Sequence, residues 1–118
     1  MKLYGIPNCT TVKRARAWLA ERQISIPFHD FKKDGASAAL LERWSRMIGW
    51  DALLNRKGTT WRQLPEEVRA GITGEAAAIE LMMAKPSVIR RPILDEGEAI
   101  HVGFEPAVYE KLFRANTR

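Results

Sequence analysis

The sequence predicts an α/β fold, a mixed four-stranded sheet carrying a helical insert over roughly residues 36–85. Three observations carry this reading. A strand–helix–strand pattern fills the first thirty residues, a block of helical periodicity follows, and a hairpin pattern with a closing helix ends the chain. With 118 residues, the length suits one domain, since domains cluster near ~100–150 residues.

Lys2 to Tyr4 is a short apolar-alternating strand, and Gly5 to Cys9, with Pro7 and Asn8, is a turn. Val12, Ala15, Ala17 or Trp18, Leu19 and Ala20 then recur at helical spacing, and a hydroxyl of Thr10 or Thr11 is placed to cap that helix. Ile24 to Phe31 is rich in β-branched and aromatic residues and reads as a second strand. Strand, helix and strand in so short a span form a βαβ unit, which pairs its strands in parallel.

From Ala36 onward the period changes. Leu40, Leu41, Trp44, Met47 and Ile48 share a helical face that Gly49 ends. Short helical turns follow at Ala52–Leu54 and Pro65–Ala70. Thr73 is placed to cap a helix to Lys85 with Ile79, Met82 and Met83 as its apolar stripe. After Pro86, Ile93–Asp95 and Ala99–Val102 flank Glu96-Gly97-Glu98 as a tight hairpin. Glu105 to Arg114 closes the chain as a helix, with Val108, Leu112 and Phe113 toward the core. The order βαβ, helical insert, ββα is the thioredoxin layout with helices inserted between its halves.

Composition narrows the function classes. No apolar run approaches the ~18–20 residues that cross a bilayer, and the N-terminus lacks the apolar core of a secretory signal. A single cysteine cannot form an internal disulfide, so no oxidising compartment is implied and a cytoplasmic location is expected. The net charge of +5 favours anionic partners. The arginines are scattered without an aromatic ladder between them, which argues against nucleic acid. His29 and His101 have no carboxylate or cysteine at metal-ligand spacing and read as structural, so no metal site is expected. Trp18, Trp44, Trp50 and Trp61 read as packing residues.

Cys9 falls between a predicted strand and a predicted helix. The first N–H groups of a helix lack partners, and its dipole adds roughly half a positive charge there, so a thiolate is favoured. Lys13 and Arg14, one turn on, add to that field. The residue is flanked by Asn8 and Thr10 in a polar turn, unlike an inert core cysteine.

Ile6-Pro7-Asn8-Cys9-Thr10-Thr11-Val12-Lys13-Arg14-Ala15, followed by Lys85-Pro86-Ser87-Val88-Ile89-Arg90-Arg91-Pro92-Ile93-Leu94, resembles the ArsC/Spx/YffB family. Leu53-Leu54-Asn55-Arg56-Lys57-Gly58 and Val102-Gly103-Phe104 fit the same pattern, so the resemblance spans essentially the whole chain and is nearest to the YffB-like branch. It implies that Cys9 is the nucleophile and that Arg91 holds an anionic ligand or stabilises the thiolate. It implies that Arg56 supports that ligand from the insert, and that Pro92 occupies a cis-proline site facing the cysteine. Asn8 and Thr10 are placed beside the ligand as its binding neighbours. Guanidinium groups suit the task because they present forked donors to carboxylate or oxyanion oxygens.

Departures from the family pattern choose among activities. Arsenate reductases of the family carry histidine and asparagine where this chain has Gly5 and Ile6, and a third arginine where it has Gly103. Losing one charged hydrogen-bond partner costs about 1.5–3 kcal/mol. Spx-type regulators often place a second cysteine at the position of Val12, so an internal Cys-X-X-Cys switch is excluded. The resemblance therefore implies a glutathione-dependent thiol–disulfide oxidoreductase, with glutathione as co-substrate and no tightly bound cofactor. A small oxyanion or a disulfide-bearing protein is the other substrate class in view. Arsenate reduction with glutathione and glutaredoxin is one alternative. A non-enzymatic regulator that binds RNA polymerase is the other.

Overall fold

A computed structural model describes the chain over residues 1–116, with side chains to residue 114. β1 (Lys2–Gly5), α1 (Thr10–Glu21) and β2 (Phe28–Asp30) form the first unit. Helices α2 (Phe31–Asp34), α3 (Ala38–Ile48), α4 (Trp50–Leu53), α5 (Thr59–Arg62), α6 (Glu66–Ala70) and α7 (Glu75–Ala84) form the insert, closed by a 3-10 turn (Pro86–Val88). β3 (Ile93–Asp95), β4 (Ile100–Val102) and α8 (Pro106–Asn116) complete the chain. The sheet order is β2-β1-β3-β4. β1 runs parallel to β2, with Tyr4 opposite His29. It is antiparallel to β3, with Leu3 opposite Leu94, and β3 is antiparallel to β4. The mixed four-stranded sheet and the insert are those the sequence predicts.

Alternation along the strands divides the core in two, because successive side chains point to opposite faces. Tyr4 and Ile93 join the insert side with Phe31, Leu41, Trp44 and Met82. Leu3 and Leu94 join the other side with Trp18, Leu19, Tyr109 and Phe113. Trp18, Trp44 and Trp61 are buried as expected, and Trp50 packs against the insert cluster.

Several local expectations are corrected. The second strand is only Phe28–Asp30. Pro27 has no N–H to give a ladder, and Phe31 already begins α2, whose first turn is capped by Asp30 accepting from Lys32 N and Lys33 N. Thr10 and Thr11 do not cap α1: Cys9 holds the cap position, and no side chain caps it. Thr73 does not cap α7 either, since Gly74 precedes that helix. In α1, Ala17 and Ala20 are exposed while Trp18 faces inward. Met83 is 44% exposed, because it lies one turn beyond Ile79 over an open groove lined by Glu42, Arg46 and Glu75. In α8 the fully buried residue is Tyr109, with Phe113 one turn on, whereas Val108 and Leu112 are half-buried. Gly49 ends α3 as expected, at a positive φ of 86° that favours glycine.

Candidate functional site

Cys9 stands where the chain leaves the sheet and enters α1. Its N–H donates to the Ile6 carbonyl at 3.1 Å, and its carbonyl accepts from Lys13 N at 2.9 Å, the first bond of the helix. Its backbone is extended (φ −82°, ψ 129°), so the residue is the helix N-cap. The half-buried thiol lies at the end of α1 where N–H groups lack intrahelical partners and the dipole is positive. Strand and helix meet closely here. A Cβ at Gly5 would fall 2.8 Å from Val12 Cγ2, and Val12 is fully buried.

The facing wall is built by two segments that pair with each other. Leu54 and Ile89 form an isolated antiparallel bridge. Asn55 N donates to Val88 O at 2.7 Å, and Arg90 N donates to Leu53 O at 2.8 Å. Arg90 Nε adds a bond to Leu54 O, and Asn55 Oδ1 accepts from Lys57 N at 3.1 Å, which turns the chain so that Lys57 follows Asn55 at the wall. The insert is thereby laced to the residues that enter β3.

The space between is a cleft of about 390 Å³. Cys9 and Thr11 line it from α1, Asn55 and Lys57 from the insert, Arg90 and Arg91 from the segment before β3, and Val102 and Gly103 from the end of β4. Three of these are cations and none is a carboxylate. Arg91 is half-buried, and its Nη1 donates to two backbone carbonyls, Ser87 O at 2.9 Å and Ile89 O at 3.1 Å. Its Nε is buried without a hydrogen-bond partner. The Arg91–Pro92 peptide is cis, as the motif implies, and the Pro92 carbonyl accepts from Gly103 N at 2.8 Å.

The structure brings Cys9 and Arg91 together but not every residue singled out beside them. Arg56 does not line the cleft. It pairs with Asp51 at 2.6 Å and lies 5.7 Å from the ring centroids of Trp50 and Trp61, because the Asn55 turn directs alternate residues to opposite sides. Asn8 and Thr10 are exposed and outside the lining, and buried Pro92 lies behind it. Thr11, Asn55, Lys57 and Arg90 are the lining residues that sequence reasoning passed over. The tight Asn-x-Lys-Gly turn was the available signal, since an asparagine that bonds its own backbone two residues on fixes which neighbour faces the same way. His29 Nε2 lies 2.7 Å from Gly35 O and His101 Nε2 lies 2.5 Å from a Glu96 oxygen. Among the described residues no three His, Cys, Asp or Glu side chains converge on a metal position.

The family model of the ArsC family matches residues 4–112. The chain belongs to the ArsC family. This ArsC-family chain is similar to the solved structure of a YFFB protein, with 47% identity and a TM-score of 0.87 over 93% of this chain and 96% of that one. It is similar also to an arsenate reductase (ArsC) related protein from Brucella melitensis, with 48% identity and a TM-score of 0.74 over 96% and 93% of the two chains. Regulatory protein MgsR of Bacillus subtilis is 27% identical over 99% of this chain and 93% of its own. The fold is thus the arsenate-reductase-like thioredoxin fold. No helix among the described residues is long and apolar enough to cross a membrane.

Proposed function

We propose that the protein is a glutathione-dependent thiol–disulfide oxidoreductase whose nucleophile is Cys9. The observation that supports this most is the placement of the only cysteine at the N-cap of α1, in a cleft whose charged lining is entirely cationic. The thiolate of Cys9 attacks one sulfur of a glutathione mixed disulfide, forming a Cys9–glutathione bond as the substrate sulfur leaves as a thiolate that takes up a proton. A second glutathione thiolate then attacks the glutathione sulfur of that bond, releasing oxidised glutathione and returning the Cys9 thiolate. The mixed disulfide and one free glutathione thiol thus become the substrate thiol and oxidised glutathione, and Cys9 returns unchanged. The outside thiol is necessary because Val12 stands where a resolving cysteine would be. The sulfur that leaves does so as an anion into a cleft whose charged lining is cationic.

Arsenate suits the cleft less well. It is compact and needs donors converging on one point. Gly103 lines the wall without a side chain, and a donor at Gly5 would displace Val12. Intact-mass measurement after treatment with oxidised glutathione is expected to show one glutathione adduct, removed by reduced glutathione and missing in Cys9→Ser. Arsenate turnover with glutathione and glutaredoxin is expected to stay at background. Robust Cys9-dependent arsenate reduction would replace this reading.

The likeness to MgsR supports a second reading, a regulator whose insert surface contacts RNA polymerase. In that case Cys9→Ser would keep its function, and a pull-down would recover RNA polymerase while glutathione left no adduct.

A further inference from the structure

The four cations around the cleft do different work, and their hydrogen bonds separate them. Arg56 is paired with Asp51 outside the cleft. Arg91 directs Nη1 to Ser87 O and Ile89 O, so that arm of its fork holds the backbone turn that leads into β3. Arg90 is exposed, and among the described residues its side chain bonds only through Nε, to Leu54 O, which leaves both terminal nitrogens of the guanidinium for a ligand. Lys57 is exposed as well, and no carboxylate among the described residues pairs with it or with Arg90. The two are held on one wall by the Leu54–Ile89 bridge and the bonds beside it.

We infer that Lys57 and Arg90 form an anion-selecting rim that chooses disulfides bearing carboxylates for attack by Cys9, and that Arg91 is a positioning residue. This rests on the reading of Cys9 as a nucleophile in disulfide exchange. A glutathionyl group carries two carboxylates on a flexible peptide, one for each rim cation. Two unpaired cations some residues apart on one wall match that spread better than they match a single compact oxyanion. Charge placed at a rim acts mainly on the encounter rate and is screened by salt.

The test compares rates at Cys9 for an anionic disulfide (oxidised glutathione), a neutral one (bis(2-hydroxyethyl) disulfide) and a cationic one (cystamine). A parallel pair of alkylating agents, anionic iodoacetate and neutral iodoacetamide, reads the same charge preference without disulfide chemistry. Lys57→Gln and Arg90→Gln are each expected to lower the anionic-to-neutral rate ratio several-fold at low ionic strength, and together by roughly tenfold or more. Lys57→Glu is expected to shift preference toward cystamine. Arg91→Gln is expected to slow anionic and neutral reagents together, keeping the ratio, and to lower the melting temperature. The rim assignment is overturned if the single variants keep the parent ratio for both reagent pairs, or if Arg91→Gln alone collapses it. If the parent protein prefers iodoacetate yet exchanges with no disulfide, the oxidoreductase reading fails and the rim stands. A parent with no preference for iodoacetate sinks the rim, whatever its disulfide chemistry.

Discussion

Two clusters of charge in this fold are built on opposite principles. Around Asp95, at the end of β3, every group has a partner. The carboxylate, only 5% exposed, accepts from the Arg43 guanidinium, from Trp44 Nε1 at 3.0 Å and from Gly97 N at 2.8 Å. Around Cys9, three cations line a cleft with no carboxylate among them. The first cluster ties α3 of the insert to the β3–β4 hairpin. The second leaves positive charge open to whatever enters. Mutual pairing yields a clamp, since a buried carboxylate is tolerable only with its hydrogen bonds complete. Cations without counterparts yield a place for an anion. The pairing state of each charge therefore separates structure from function in this chain more sharply than residue type does.

The comparison breaks most visibly at Asp95. Asp95→Ala removes an acceptor from a fully buried tryptophan N–H, a backbone amide and a guanidinium. Breaking a buried pair from one side costs ~3–5 kcal/mol, but Arg43 is 37% exposed and can turn to water, so the expected loss is nearer ~2–3 kcal/mol. Urea unfolding measures it, and the rate of adduct formation at Cys9 in the folded variant is expected to remain that of the parent. A large fall in that rate would mean that the two clusters are coupled. The same clamp predicts acid lability. Burial alone would raise the Asp95 pKa, but hydrogen bonds from Arg43, Trp44 and Gly97 and the Arg43 charge outweigh it and hold the group below its ordinary value of about 3.8. A carboxylate with a depressed pKa contributes stability that is full above its unfolded pKa and lost as pH falls through the folded one. Stability is therefore expected to decline below about pH 3.8, and Asp95→Asn is expected to flatten that decline.

A smaller effect is expected at the start of the site. Gly5→Ala places a Cβ 2.8 Å from Val12 Cγ2, and Val12 has nowhere to move within a filled core. Overpacking of this kind costs about 1–3 kcal/mol. Because the shift pushes α1 away from β1, both the melting temperature and the iodoacetamide rate at Cys9 are expected to fall together. Unchanged values for both would show that the helix end tolerates a side chain, and would weaken the steric case against a family histidine at this position.

How far the sequence disclosed all this follows from the range of the interactions. Periodicity placed the sheet strands, α3 and α7, because burial of one face repeats at a fixed step. It also located Cys9 at a helix start, since a strand–turn–helix is a local pattern. Local patterns were weaker at the ends of elements. Thr10 and Thr73 had the right chemistry for caps, yet Cys9 and Gly74 hold those positions and no side chain caps either helix. The site's second wall was least legible. It depends on Leu54 meeting Ile89 across thirty-five residues, and on a turn at Asn55 that sends Lys57 one way and Arg56 the other. The turn leaves a local trace in Asn55-Arg56-Lys57-Gly58, but the pairing of Leu54 with Ile89 is written in no short window. The Asp95 clamp was invisible for the same reason, as it joins residues 51 or 52 positions apart.

The smallest effect, and the sharpest check on that turn, is expected at Arg56. Its guanidinium meets Asp51 at 2.6 Å with side chains 42% and 70% exposed, and exposed pairs contribute about 0–1 kcal/mol. The nearby rings of Trp50 and Trp61 add a weak cation–π contact at 5.7 Å. Arg56→Ala should accordingly change stability by about 1 kcal/mol or less and leave the rate of adduct formation with oxidised glutathione at that of the parent. Its neighbour supplies the contrast. Lys57→Gln, one residue on and likewise exposed, is expected to slow that reaction measurably while changing stability no more. If Arg56→Ala slows the anionic disulfide as much as Lys57→Gln does, the guanidinium reaches the cleft in solution. The turn at Asn55 then does not sort the two cations, and the division between paired and open charge fails at the residue where it was most finely drawn.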